Sequence, residues 1–216
     1  MTNKKYITEE LRVCLENAWY SGAIKRMFRT RFLIILLSVV VLSAVAGGSG
    51  FADEEEKRRV DISLSIFPRI VAVDNDFRQK LAPDNKVQLL FLYSSNEKRA
   101  EDLAKRIEKN GKNIGGMSVM ASAISISSVL DKERKVKPTA IFISERLSKN
   151  DLEKVMAYAA SENRLVFSPF SGDVERGATV GISVTNRVKP YFNLSALKQS
   201  NIVINALLMK MSKRYE

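Results

Sequence analysis

The residues best placed to do chemistry lie in one run, Ser168-Pro169-Phe170-Ser171-Gly172-Asp173-Val174-Glu175-Arg176-Gly177. Asp173 and Glu175 are two positions apart, so on a strand their carboxylates would share a face, as a carboxylate-based hydrolase would need. The Pro, Gly and Ser content reads as a loop instead. There Asp173, Glu175 and Arg176 would set the polarity around Phe170, an exposed anchor. The run follows Leu165–Phe167, which reads as a short parallel strand, and open α/β sheets bind ligands beyond the carboxyl ends of such strands. Phe170, Asp173, Glu175 and Arg176 are therefore the candidate ligand or partner contacts. The alternative is a solvated connection with one tucked aromatic.

Other spacings are weaker. Ser-x-x-Lys occurs at Ser95–Lys98 and Ser195–Lys198, the spacing by which an amine one helical turn away takes a serine proton. Both copies sit in helix-capping sequences without the motifs that accompany a serine acylase. Asp74-Asn75-Asp76 opens like a calcium loop but lacks the later ligands and the glycine, which leaves a solvated turn. Asn110–Gly116 contains glycines in the order helix, loop, strand. A phosphate-binding loop needs strand, loop, helix, so this stretch reads as a helix stop and a turn.

Composition removes further chemistry. The chain has 216 residues, no His and one Cys, Cys14. Histidine triads, histidine metal ligands and the usual near-neutral acid–base group are therefore absent. No catalytic residue, cofactor fingerprint or metal-ligand set is assigned. The net charge is +11, which favours anionic surfaces such as lipid headgroups or acidic protein patches. The basic residues are spread along helices rather than interleaved with aromatics, and no nucleic-acid motif is present, so no nucleic-acid partner is expected.

Phe32–Ala46, FLIILLSVVVLSAVA, is an uncharged apolar stretch. Arg26, Arg29 and Arg31 precede it, and the small-residue run Gly47–Ala52 follows. This is the layout of an export signal whose basic flank stays in the cytoplasm. Residues 1–31 form a cytoplasmic n-region, with Ile7, Leu11, Cys14, Leu15 and Ala18 on one helical face, or else Met27 is the true start and Met27–Arg31 a short n-region. Residues 32–52 are a signal segment cleaved after Ala46 or Ala52, or a membrane anchor long enough to span. The expected location is the periplasm, free or tethered, with a cysteine-free domain that rests on its core alone. Residues 57–216 are expected to form that domain.

Within it, hydrophobic spacing predicts a helix over Lys57–Asp74 that Pro68 kinks or ends. A helical turn over Asp76–Leu81 and a turn at Ala82–Asn85 follow. Val87–Tyr93 and Thr139–Ile143 are nearly continuous apolar runs, the pattern of strands covered on both faces. Ser94 and Glu97 have capping-box spacing before a helix whose stripe is Ala100, Leu103, Ala104 and Ile107, stopped at Asn110-Gly111. Ser118–Ile126 reads as a second strand and Asp131–Lys137 as a charged surface segment. Ser148 caps a helix with Asp151 at the box position and Leu147 and Leu152 as a hydrophobic staple. Ala178–Val184 and Arg187–Phe192 form a hairpin, with Pro190 placing the second strand at an edge. Asn193 and Asn205 cap two last helices, the second carrying Leu208, Met211 and Tyr215 on one face. The alternation predicts one three-layer α/β domain: about five mostly parallel strands, flanking helices and a C-terminal hairpin edge.

The last forty residues, GATVGISVTNRVKPYFNLSALKQSNIVINALLMKMSKRYE, resemble the C-terminal region of the YfiR-like family of periplasmic proteins. The matching positions are Val180–Val184, Arg187–Phe192, Asn193-Leu194, Ala196, Asn201, Leu207-Leu208 and Lys210. The earlier helix and strands fit the same plan. The chain departs from the family in a first helix without an aromatic cluster and in its cysteine-free domain. The resemblance implies a non-enzymatic exported regulator or sensor. It would dock on the periplasmic part of an inner-membrane signalling protein, a diguanylate cyclase or sensor kinase, as a monomer or homodimer. The matching residues are caps, core and turn, so no site is transferred. A small periplasmic solute-binding protein of a transport system is the alternative, although the exported part supplies about one lobe.

Overall fold

A computed structural model of the chain describes residues 48–110, 113–131 and 137–216. The expected cytoplasmic helix, the apolar stretch 32–46, Gly111 and most of Asp131–Lys137 lie outside the described residues. Among the described residues no helix is long and apolar enough to cross a membrane. The chain divides into two compact units, Met1–Asp53 and Glu54–Glu216; apart from the first residues of the first helix, Gly48–Asp53, the fold and contacts below belong to the second.

Helix α1, Gly48–Ala72, contains Pro68 without ending there. A 3₁₀ turn at Phe77–Lys80 follows. Strand β1 is Val87–Tyr93 and helix α2 is Glu97–Asn110. Two paired strands come next, β2 at Asn113–Ile114 and β3 at Met117–Ser125, then helix α3 at Ile126–Leu130. Strand β4 (Ala140–Ile143), helix α4 (Lys149–Ser161) and strand β5 (Leu165–Phe167) form the next unit. The chain closes with β6 (Val180–Val184), β7 (Val188–Asn193), α5 (Leu194–Gln199), α6 (Ala206–Met211) and β8 (Lys213–Tyr215).

The strands form one eight-stranded sheet in the order β2-β3-β1-β4-β5-β6-β7-β8. The pairs β3-β1, β1-β4, β4-β5 and β5-β6 are parallel. The hairpin β6-β7 is antiparallel, as expected. The crossover β1-α2-β3 runs one way across the sheet and β4-α4-β5 the other. Right-handed connections then send α2 and α4 to opposite faces, which gives three layers. Helix α1 lies with α2, tied to it by Arg106 Nη2 donating to Asp61 Oδ1 at 2.7 Å.

Register and the two-residue period build the core on the α1 face. Phe91, Phe142 and Phe167 are direct neighbours across β1, β4 and β5. They form an aromatic row, with Phe142 and Phe167 stacked at 5.6 Å and 7°. Phe67 of α1 is fully buried and lies 5.3 Å from Phe142 and 5.5 Å from Phe167. The first helix therefore joins an aromatic cluster, but the cluster draws three of its four rings from strands. Burying such a ring is worth about 1.5–3 kcal/mol before any ring–ring term.

Several local expectations hold with their atoms named. Ser148 Oγ accepts from Asp151 N–H at 3.1 Å, and Leu147 and Leu152 are buried on either side. Asn193 Oδ1 accepts from Ala196 N–H at 2.8 Å, and Asn205 Oδ1 from Leu207 N–H at 2.9 Å.

Three expectations are corrected. The cap of α2 is Asn96, whose Oδ1 accepts from Arg99 N–H at 3.0 Å, because the N–H groups around Ser94 are committed elsewhere. The last helix stops at Met211, and Tyr215 lies in β8 rather than on its face. Strand β7 is not the outer edge, since β8 pairs with it in parallel. Pro190 is tolerated because β8 reaches only Tyr191–Asn193 and leaves the Pro190 position free of a ladder on that side.

Candidate functional site

The strand order reverses at β1 and β4, which makes their carboxyl ends the place where a sheet of this kind opens a ligand crevice. That place is filled by the protein itself. The Glu145 carboxylate, just beyond β4, accepts from the backbone N–H of Ser94, of Ser95 at 2.6 Å and of Asn96 at 3.2 Å. Ser95 Oγ donates to its other oxygen at 2.9 Å. Burial alone would raise this carboxyl, but the backbone N–H groups of Ser95, Ser94 and Asn96 outweigh it and hold the group below its ordinary range. The N-terminus of α2, a natural anion site, thus already holds an anion. Ser95 is engaged with Glu145, so Ser95–Lys98 is a loop contact and not an amine-activated serine.

Residues Glu56 and Arg59 of α1 lie across the same edge. Glu56 pairs with Arg99 at 3.4 Å and with Arg146 at 3.5 Å. Arg59 donates from Nε to Pro169 O at 3.0 Å and from Nη2 to Ile182 O at 2.9 Å. Helix α1 therefore clamps the first turn of α2, the loops that follow β4 and β5, and the middle of β6.

The loop 168–177 divides its four candidates. Phe170 is 2 % exposed and is not the expected exposed anchor. Its ring faces the guanidinium groups of Arg146 at 5.4 Å and Arg99 at 5.9 Å, so cation–π attraction and burial hold it inward. Asp173 is fully buried, accepts from Ser168 Oγ at 2.6 Å and pairs with Arg176. Arg176 also donates to Leu147 O. Asp173 and Arg176 thus close the loop onto itself and onto the start of α4. Their polarity serves the fold, and the pairing of Asp173 with Glu175 on one strand face does not occur. Gly181 on β6 makes this seating possible, since a Cβ there would lie 2.7 Å from Ser168 O and 2.8 Å from Val174 Cγ2.

Glu175 does face a cavity. A space of about 210 Å³ opens at the carboxyl edge beyond β5 and β6, lined among others by Arg59, Phe170, Glu175, Tyr191 and Lys213. Burial lowers the Arg59 guanidinium from its ordinary value, offset by Glu55 and Glu175 and reinforced by Arg146. It stays protonated, as guanidinium groups do. Burial, and next the Glu175 carboxylate, pushes the Tyr191 phenol up. The Lys213 ammonium sits 4.3 Å from the centre of the Tyr191 ring. Sequence reading missed Arg59, Tyr191 and Lys213, because they come from a helix, a hairpin and the last strand, far apart along the chain.

A second space of about 330 Å³ lies between α4 and α5, lined by small and flexible side chains such as Met156, Ala160 and Ala196. Among the described residues no group of three or more acidic, Cys or His side chains could hold a metal ion. Asp74 is paired with Lys80 at 2.6 Å and accepts from Asp76 N–H at 3.1 Å, a closed turn rather than a cation loop.

No family model matches the chain, and no curated protein matches it. Two solved structures share part of its backbone. One is described as the ABC domain in complex with L-Trp from Streptococcus pneumonia, with TM-score 0.46, 15 % identity and 67 % of this chain covered. The other is a conserved domain protein from Vibrio cholerae O1 biovar El Tor, with TM-score 0.45, 14 % identity and 66 % of this chain covered. The chain spans 60 % of the length of each. Likeness at this level carries no inference about ligand or activity.

Proposed function

We propose that this protein is a non-enzymatic sensor or regulator of the YfiR-like kind. It works on the periplasmic side and docks on the exposed part of an inner-membrane signalling protein. The observation that carries the reading is the placement of α1. Its residues Glu56 and Arg59 tie together four segments at the ligand edge of the sheet, and Arg59 is itself a wall of the cavity. The helix follows the apolar stretch 32–46 in sequence. Whatever fills the cavity must meet the helix that joins the domain to its export or anchor segment, which is how a sensor converts occupancy into a mechanical change. A basic surface assists attraction to an acidic partner or membrane.

Native pull-down of the full chain from gently solubilised membranes tests this. Recovery of a diguanylate cyclase or sensor kinase, weakened by Glu56→Lys, is the expected result. Recovery of no signalling protein overturns the proposal. The second reading, a solute-binding component of a transport system, draws on the same cavity and is favoured instead if a membrane transport complex is recovered.

A further inference from the structure

The cavity at the carboxyl edge has a charge pattern that selects its ligand. Arg59 uses Nε and one Nη2 hydrogen on Pro169 O and Ile182 O, and no described residue accepts from its Nη1. Lys213 is over the Tyr191 ring, and among the described residues no carboxylate pairs with it. Two cations with unused donors therefore line a space of about 210 Å³ that holds one carboxylate, Glu175, which with Glu55 outside the lining also attracts Arg59. They are fixed by different means. Arg59 is tethered by two backbone carbonyls, whereas Lys213 is placed by the parallel pairing of β8 with β7. The neighbouring anion position at the start of α2 is occupied by Glu145, so a ligand oxyanion finds its free donors here.

We infer that this cavity binds a small molecule through an oxyanion group, a carboxylate or a phosphate, gripped between Arg59 and Lys213. The inference rests on reading the cavity as the ligand site of the proposed sensor. Arg59 offers its remaining N–H donors and Lys213 a point charge, and charge-assisted bonds of this kind are the strong ones. Glu175 lies on the opposite side of the balance: it repels the oxyanion and tunes affinity downward. Because Arg59 belongs to α1, an oxyanion drawn toward Nη1 pulls on the same guanidinium that holds Pro169 and Ile182.

Isothermal titration of the full chain in detergent with inorganic phosphate, with succinate and with putrescine as the opposite-charge control tests the assignment. Saturable one-to-one binding of phosphate or succinate and none of putrescine is expected, and the tighter of the two identifies the class. Lys213→Gln, on an exposed strand, should weaken binding about tenfold or more, the equivalent of one lost charge-assisted bond. Glu175→Gln should tighten it, a gain that misfolding cannot mimic. Binding of putrescine alone, no binding of either anion, or equal affinities in both variants overturns the inference. Recovery of a signalling protein from membranes, measured separately, would still uphold the proposed function in those cases.

Discussion

Replacing Glu145 by Gln tests whether the crevice between β1 and β4 is held shut by charge. The substitution keeps the shape and one carbonyl oxygen but removes the negative charge that gathers the N–H groups of Ser94, Ser95 and Asn96 and the hydroxyl of Ser95. Bonds to an ionised acceptor contribute about 1.5–3 kcal/mol each and neutral ones about 0.5–1.5 kcal/mol. The loop is open to water, which can replace part of what is lost, so the net cost is about 1–2 kcal/mol rather than the full difference over four bonds. For a unit of this size that lowers the melting temperature by about 2–8 °C. The sign of the pH effect follows from the direction of the shift. Glu145 is held below its ordinary value of 4.5. Its contribution is therefore complete above that value and is lost as pH falls through the folded-state pKa. Urea unfolding of the Glu54–Glu216 unit from pH 7 down to about pH 3 should show the Glu145→Gln variant losing less stability on acidification than the parent, with the two curves converging at the acid end. A variant as stable as the parent at pH 7, with the same acid slope, would refute the view that the carboxylate closes the crevice.

Phe67→Ala removes the helix's contribution to the aromatic row of Phe91, Phe142 and Phe167, and should cost about 3–5 kcal/mol in urea unfolding; a loss below about 1 kcal/mol would mean α1 is not seated on the sheet. Asp173→Ala leaves the buried Ser168 hydroxyl without its acceptor and Arg176 without its partner, and should cost about 3 kcal/mol and expose the loop 168–177 to limited proteolysis. An unchanged proteolytic pattern would show that the loop is held by Phe170 and Gly181 alone.

Much of the architecture was legible along the chain, because it depends on local periodicity. Continuous apolar runs at Val87–Tyr93 and Thr139–Ile143 announce strands covered on both faces, and both are fully internal in the sheet. Ser148, Asn193 and Asn205 announce helix starts because capping is a matter of three or four neighbouring residues. The hairpin β6-β7 was likewise local. Where a neighbour distant in sequence decides the outcome, the expectation failed. Glu145 took the Ser94 N–H that capping-box spacing assigned to Glu97, and the pairing of β8 beyond β7 moved the sheet edge past Pro190.

The candidate site divides along the same line. The loop 168–177 was visible as a polar segment after a parallel strand, and it does lie at the carboxyl edge of the sheet. Its composition could not say which polar groups turn inward. Asp173 and Arg176 are spent on each other, Phe170 is drawn under two guanidinium groups, and only Glu175 of the charged three lines the space of about 210 Å³. By itself, then, the chain's order of apolar runs, caps and turns determined the α/β class and the position of the 168–177 loop after a parallel strand. Tertiary structure alone decided what that edge presents, since Arg59, Tyr191 and Lys213 meet only when α1, β7 and β8 pack together, and no spacing along the chain encodes a contact made by three separate elements across a sheet.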